Sequence, residues 1–139
     1  MNPRTFLIKA PLRDRAATVF SFAAQKTMYG GRGIAAGDVI YLFDSENEGG
    51  TGLWARGVVT AAQATPRRPG VARQTPRVSI TVRRTALARR RCGRAELKPF
   101  SDWADGRPET ELNFKFYRQA TDKIGGISAA AAAYLERCF

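Results

Sequence analysis

The 139-residue chain contains no histidine. That absence removes Ser-His-Asp and Cys-His catalytic arrangements, and the two cysteines, Cys92 and Cys138, are too few for the usual zinc sets. An enzyme built on this chain would draw its acid and base from carboxylates, lysine or tyrosine. The densest run of oxygen donors is Asp44-Ser45-Glu46-Asn47-Glu48-Gly49. Its spacing is superficially that of a calcium loop with glycine at the sixth position. The twelfth position, where a bidentate acid is needed, holds Ala55, and the flanks read as strands. Asp38, Asp44, Glu46 and Glu48 are the candidate ligands for a divalent ion in a metal-dependent enzyme, but no acidic pair has a spacing that compels it. Gly30-Gly31-Arg32-Gly33 lacks the Lys-Ser/Thr ending of a phosphate loop and reads as a turn. The sequence therefore assigns no catalytic residue, no metal site and no cofactor.

Charge points elsewhere. Of 23 basic and 12 acidic residues, which give a net charge of +11, the segment 56–98 holds twelve basic residues and one acid, Glu96. The flanking stretches are close to neutral. A concentrated basic segment binds polyanions by releasing their counterions, with an affinity that falls with salt. Nearly all of these residues are arginine, whose planar fork suits phosphates and base edges. The expected backbone contacts are Arg56, Arg67, Arg68, Arg73, Arg77, Arg83, Arg84, Arg89, Arg90, Arg91 and Arg94. A solvated charged surface is the plainer alternative.

Aromatic residues are the other recognition chemistry. Trp54 and Trp103 are core or rim residues by default. Trp54 has a stronger claim as a stacking surface for an unpaired or flipped base, because it sits where a polar loop enters a strand. On an extended chain, Phe114 and Phe116 would face one way and Lys115, Tyr117 and Gln119 the other. Such a strand either closes the core or presents Tyr117 and Gln119 to a base.

The elements that must position these residues follow from periodicity. Thr5–Ala10 is an apolar run ended by Pro11 and reads as a strand. Asp14 is a helix N-cap candidate, with Ala16, Val19, Phe20, Ala23 and Ala24 at helical spacing, which predicts a helix ending by Tyr29. After the Gly37-Asp38 turn, residues 39–43 form a buried strand. A polar loop at 44–52 connects it to a partner strand at 53–61. Residues 64–76, with Pro66, Pro69 and Pro76 among arginines, are expected to be a mobile basic connector. Arg77–Leu87 alternates as a strand with one face buried, and a further strand is expected near Arg94–Leu97. Residues 101–112 are expected to be irregular. Ser128 caps an alanine-rich final helix with Ala131, Leu135, Cys138 and Phe139 as its apolar stripe. Together these predict one α+β domain over residues 1–139, a small, mostly antiparallel pseudo-barrel with helices near both ends.

The order Ile8-Lys9-Ala10, then Gly37-Asp38-Val39-Ile40-Tyr41-Leu42-Phe43-Asp44-Ser45, then Leu53-Trp54-Ala55-Arg56-Gly57-Val58-Val59 resembles the PUA-like superfamily and, within it, the EVE domains. Tyr117-Arg118-Gln119 is similar to an Arg-Gln step late in such domains. The resemblance implies a pseudo-barrel whose pocket accepts a modified base, modified cytosine being favoured, flipped from DNA or unpaired in RNA. Carried over by position, the pocket residues are Lys9, Ala10, Asp44, Ser45, Trp54, Tyr117, Arg118 and Gln119. Phosphate contacts from the arginines would position the nucleic acid while the pocket chooses the base.

The leading expectation is a non-enzymatic nucleic-acid-binding module, acting alone or beside a nuclease or other nucleic-acid enzyme. The rivals are an RNA-binding adaptor without a pocket and the metal-dependent enzyme. No apolar run is long enough to span a bilayer and the N-terminus lacks a secretory pattern, so a cytoplasmic protein with reduced thiols and no membrane partner is expected.

Overall fold

In a computed structural model, which describes residues 5–12, 14–74, 76–118 and 123–139, six strands close into a barrel. The strands are β1 (Thr5–Ala10), β2 (Val19–Met28), β3 (Val39–Asp44), β4 (Gly52–Ala64), β5 (Arg77–Leu87) and β6 (Lys123–Gly126), ordered β1-β3-β4-β5-β2-β6. The pairing is mixed, which corrects the mostly antiparallel expectation: β1 runs parallel to β3, and β2 parallel to β6. The helices are short. α1 (Arg94–Leu97) and α2 (Pro108–Asn113) precede β6, and α3 (Ala129–Glu136) ends the chain.

β3 is apolar from Val39 to Phe43, as suits a strand with both faces buried, and ends in Asp44. Ile40 and Leu42 point into the barrel, while Tyr41 and Phe43 point outward under the helices. β1 behaves likewise, with Phe6, Ile8 and Ala10 inside and Leu7 outside. β5 has one buried face, Val78, Ile80 and Val82, as its alternation predicts. Two cores result. One fills the barrel, and the other lies between the barrel wall and α1–α3, joining Phe43, Leu97, Leu112, Phe116 and Leu135. Fully burying side chains of this size stabilises by about 1.5–3 kcal/mol each.

Four local expectations are corrected. The helix expected over 14–29 is the strand β2. A bulge between Phe22 and Gln25, where Ala24 takes φ 49°, inserts extra residues into the alternation. The apolar spacing then drifts from two toward that of a helical turn. The strand expected at Arg94–Leu97 is a single helical turn, because the Glu96 carboxylate accepts from Gly93 N (2.8 Å) and Glu46 accepts from Arg94 N. Those carboxylates satisfy the amides that a helix start leaves open. The stretch expected to be irregular ends in α2, begun by Pro108 at its first turn with Glu109 and Glu111 beside the positive end of the dipole. Finally, Phe114–Arg118 continues α2 as a wide π-type turn instead of an extended strand. Phe116 is therefore buried and Phe114 packs beside Trp103 (5.3 Å between ring centroids), on different sides of the turn.

β6 has no counterpart among the expected elements. Its Lys-Ile-Gly-Gly composition carries little strand signal, yet a side chain on Gly126 would collide with the Tyr29 carbonyl. Glycine is needed there because two backbones meet where the barrel closes. α3 is capped as expected, with Ser128 Oγ accepting from Ala131 N (3.1 Å). Glu111 clamps that end by accepting from Ser128 N (2.8 Å), Ser128 Oγ and Lys115 Nζ (3.0 Å). Burial raises the Glu111 pKa, but the bonds from Ser128 and Lys115 outweigh it and hold the carboxyl below the ordinary carboxylate range.

Cys92 and Cys138 are buried free thiols in the outer core. Burial pushes the Cys92 thiol up to about 12, so it stays protonated at neutral pH. Among the described residues no helix is long and apolar enough to cross a membrane.

Candidate nucleic-acid interface

The candidate pocket residues divide between two faces of the barrel wall. Lys9 is in register with Phe43, and Ala10 with Asp44. Neighbouring residues on a strand face opposite ways. Ala10 and Asp44 therefore belong to the barrel mouth, and Lys9 and Ser45 to the side covered by the helices.

At the mouth, Asp44 is buried and accepts from Leu12 N (3.1 Å) and from the Arg15 guanidinium (2.6 Å). Arg15 also donates to Thr51 Oγ1 (3.1 Å). Trp54 enters from β4, half-buried and edge-on to Phe20, with 5.4 Å between ring centroids at 88°. Two guanidiniums lie against its ring, Arg84 at 5.6 Å and Arg15 at 6.0 Å. Arg84 is held there by bonds to the carbonyls of Ala17 (3.1 Å) and Arg15 (3.4 Å). A carboxylate, an indole and two cations thus surround one barrel opening. This is a set that can accept from an exocyclic amine, stack a planar ring and neutralise a phosphate.

On the helical side, Lys9 is buried, donates to the Phe116 carbonyl (2.5 Å) and lies 4.6 Å from the Tyr117 ring. The Tyr117 hydroxyl donates to Glu46 (2.5 Å), and Arg94 sits 5.1 Å from the same ring. Burial, then the Glu46 carboxylate, push the Tyr117 hydroxyl above its ordinary pKa, so it remains a donor at neutral pH. Ser45 is buried, its backbone tied to Ala10 (3.0 Å) and Gly50 (2.8 Å). Arg118 is exposed, and Gln119 lies outside the described residues. The structure brings Ala10, Asp44 and Trp54 to one opening, and Lys9, Ser45 and Tyr117 to the layer behind it.

The arginines separate in the same way. Arg84 lines the mouth, and Arg83 is exposed beside it on β5. Arg56 pairs with Glu136 and lies 5.2 Å from the Phe139 ring, holding α3 to the barrel. Arg89, Arg90 and Arg91 are exposed on the loop after β5, where the amides of Arg89 and Arg90 bond the Cys138 carbonyl. Arg67, Arg68, Arg73 and Arg77 gather at the far end of the barrel around an open cleft of about 850 Å³. Sequence reasoning missed Arg15 and Phe20 at the mouth, and Lys26 and Arg32 at the cleft. Phe20 falls in the segment whose spacing predicts a helix, and nothing in the local pattern marks the other three.

This six-stranded closed barrel matches the PUA-like fold. Human THYN1 in complex with DNA containing 5-methylcytosine superposes with a TM-score of 0.66 at 15% identity, over 96% of each chain. The DUF55 domain of human thymocyte nuclear protein 1 gives 0.62 at 12% identity, covering 94% of this chain and 95% of that one. A hypothetical protein from Leishmania major gives 0.62 at 16%, covering 98% and 94%. No family model matches the chain, and no curated protein matches it.

Proposed function

We propose that this protein is a nucleic-acid-binding module that holds a modified base, modified cytosine in the first instance, against Trp54 at the barrel mouth. The carrying observation is the half-buried Trp54 ring between Arg15 and Arg84, beside the buried Asp44 carboxylate. Arg15, with its side chain 48% exposed, covers Asp44 and can swing aside to admit a ring. The Asp44 oxygens would then accept from the exocyclic amine of cytosine while Trp54 stacks on its face. The fold shared with THYN1, which was solved with 5-methylcytosine DNA, supports this reading. Recognition of this kind serves either alone or in delivering a nuclease or other nucleic-acid enzyme to marked sites.

One observation favours a pocketless RNA-binding adaptor instead: Phe20 and both guanidiniums already cover the Trp54 ring. Nothing comparable favours the metal-dependent enzyme, since no group of three or more Cys, Asp or Glu residues suited to a metal occurs among the described residues. Binding to matched single- and double-stranded oligonucleotides, with plain or modified cytosine and at two salt concentrations, separates the readings. A preference for one modified form that survives the higher salt is the expected result. Binding that ignores modification and vanishes with salt would leave the adaptor.

A further inference from the structure

The cleft at the far end of the barrel forms a site of its own. Lys26 from β2, Arg32 from the turn after it, Arg67, Arg68 and Arg73 from the β4–β5 loop, and Arg77 from β5 all line it. Their hydrophobic companions are small, chiefly Ala24, Val71 and Val78, and no aromatic side chain is among the described lining residues. The loop has an internal frame. Gln74 accepts from Arg68 N (2.9 Å) and donates to the carbonyls of Arg68 (2.8 Å) and Val71 (3.0 Å). Arg67 donates to the Ala72 carbonyl (3.3 Å), and Arg77 to the Ala24 carbonyl (2.9 Å). Each guanidinium carries five N–H groups, so these bonds use only a minority of the donors.

Position makes this cleft distinct from the mouth. Trp54 lies near the start of β4 and Ala64 at its end, ten residue steps apart. At ~3.3 Å per residue that is at most roughly 30 Å along the strand. No base stacked on Trp54 shares its phosphates with this cleft. Between Arg77 at the cleft and Arg83 beside the mouth, the outward face of β5 carries Ser79 and Thr81.

We infer that the cleft is a second, sequence-independent site for phosphodiester backbone, reached along the outer face of β5. One nucleic-acid molecule longer than about nine base pairs, at ~3.4 Å per step along one strand, would then engage both ends of the barrel. The inference rests on the nucleic-acid reading above and adds a site to it. A cleft built of arginine without aromatic rings suits phosphates and gives no base stacking.

The test compares the wild-type chain with the triple variant Arg67→Gln/Arg68→Gln/Arg73→Gln, with thermal melting as a check on folding. Both are titrated with modified-cytosine duplexes of roughly 8 and 24 base pairs, lengths on either side of the ~30 Å span. The expected result is at least a tenfold loss of affinity on the long duplex, less than a twofold loss on the short one, and a salt slope lower by about 2–3 on the long duplex. Discrimination between modified and plain cytosine stays unchanged. Equal losses at both lengths, or no loss at either, would overturn the second site while leaving the base-reading proposal standing. If the wild-type chain binds neither duplex, both fall.

Discussion

The two ends of the barrel use the same cationic side chain in opposite ways. At the mouth, Arg15 is bound to Asp44 and Thr51, and Arg84 to two backbone carbonyls, so both guanidiniums are oriented before any ligand arrives. At the far cleft the loop backbone is stapled by Gln74, and Arg67 and Arg77 each make one bond to a backbone carbonyl, with no carboxylate among their partners in the described residues. Pre-oriented groups around an aromatic ring favour selection, because a wrong ligand forfeits bonds already aligned for the right one. Extended cations on a framed loop favour attraction of any polyanion. Selectivity and affinity would then reside about 30 Å apart on one small domain.

The sharpest way to break this comparison is Trp54→Ala. It should reduce discrimination between modified and plain cytosine by roughly 1–3 kcal/mol, about 5- to 150-fold, in paired titrations. Affinity for plain duplex should change little. A uniform loss on both would make the mouth a second phosphate site.

The next effect isolates the helical layer from both ends. Glu111→Gln removes charge-assisted bonds to Ser128 and Lys115, so stability at neutral pH should fall by about 1–2 kcal/mol in denaturant melts. Because the folded Glu111 pKa is depressed, its contribution is present above the unfolded value of ~4.3 and is lost as pH falls through the folded one. The variant's acid unfolding curve should therefore be shallower over that window, with nucleic-acid binding at neutral pH unaltered.

The smallest effect compares single arginines. Arg84→Gln should lower stability by up to about 1 kcal/mol, through its lost carbonyl bonds and its contact with Trp54. Arg67→Gln should stay within about 0.5 kcal/mol of the parent, as exposed substitutions do. Each should lower the salt slope by about 1 on a long duplex. Equal stability losses would remove the distinction between a braced mouth and an open cleft.

Much of this arrangement was legible in the residues. β3 and β5 declared themselves by an unbroken apolar run and by strict alternation, and α3 by Ser128 ahead of alanines. β2 was hidden by its own bulge, since Ala23 and Ala24 carry the apolar spacing off period two. β6 was hidden because its two glycines answer to a backbone crossing that only the closed barrel creates. Trp54 and Asp44 are legible in the sequence as candidates, but their separation from Lys9 and Tyr117 depends on strand register. Arg67 and Arg84 are near in sequence, yet β5 runs most of the barrel's length between them. Arg15 becomes informative only when the barrel brings it onto Asp44.

Tryptophan emission can report directly on the mouth. Of the two tryptophans, Trp103 is exposed and packs on Phe114, so Trp103→Phe leaves Trp54 as the single reporter with that ring contact kept. On titration with modified-cytosine duplex, Trp54 emission should be quenched in proportion to binding, and the quenching should persist at the higher salt. Plain duplex should bind by anisotropy with far less quenching. Binding of the modified duplex with Trp54 emission unchanged would contradict the claim that this ring receives the base.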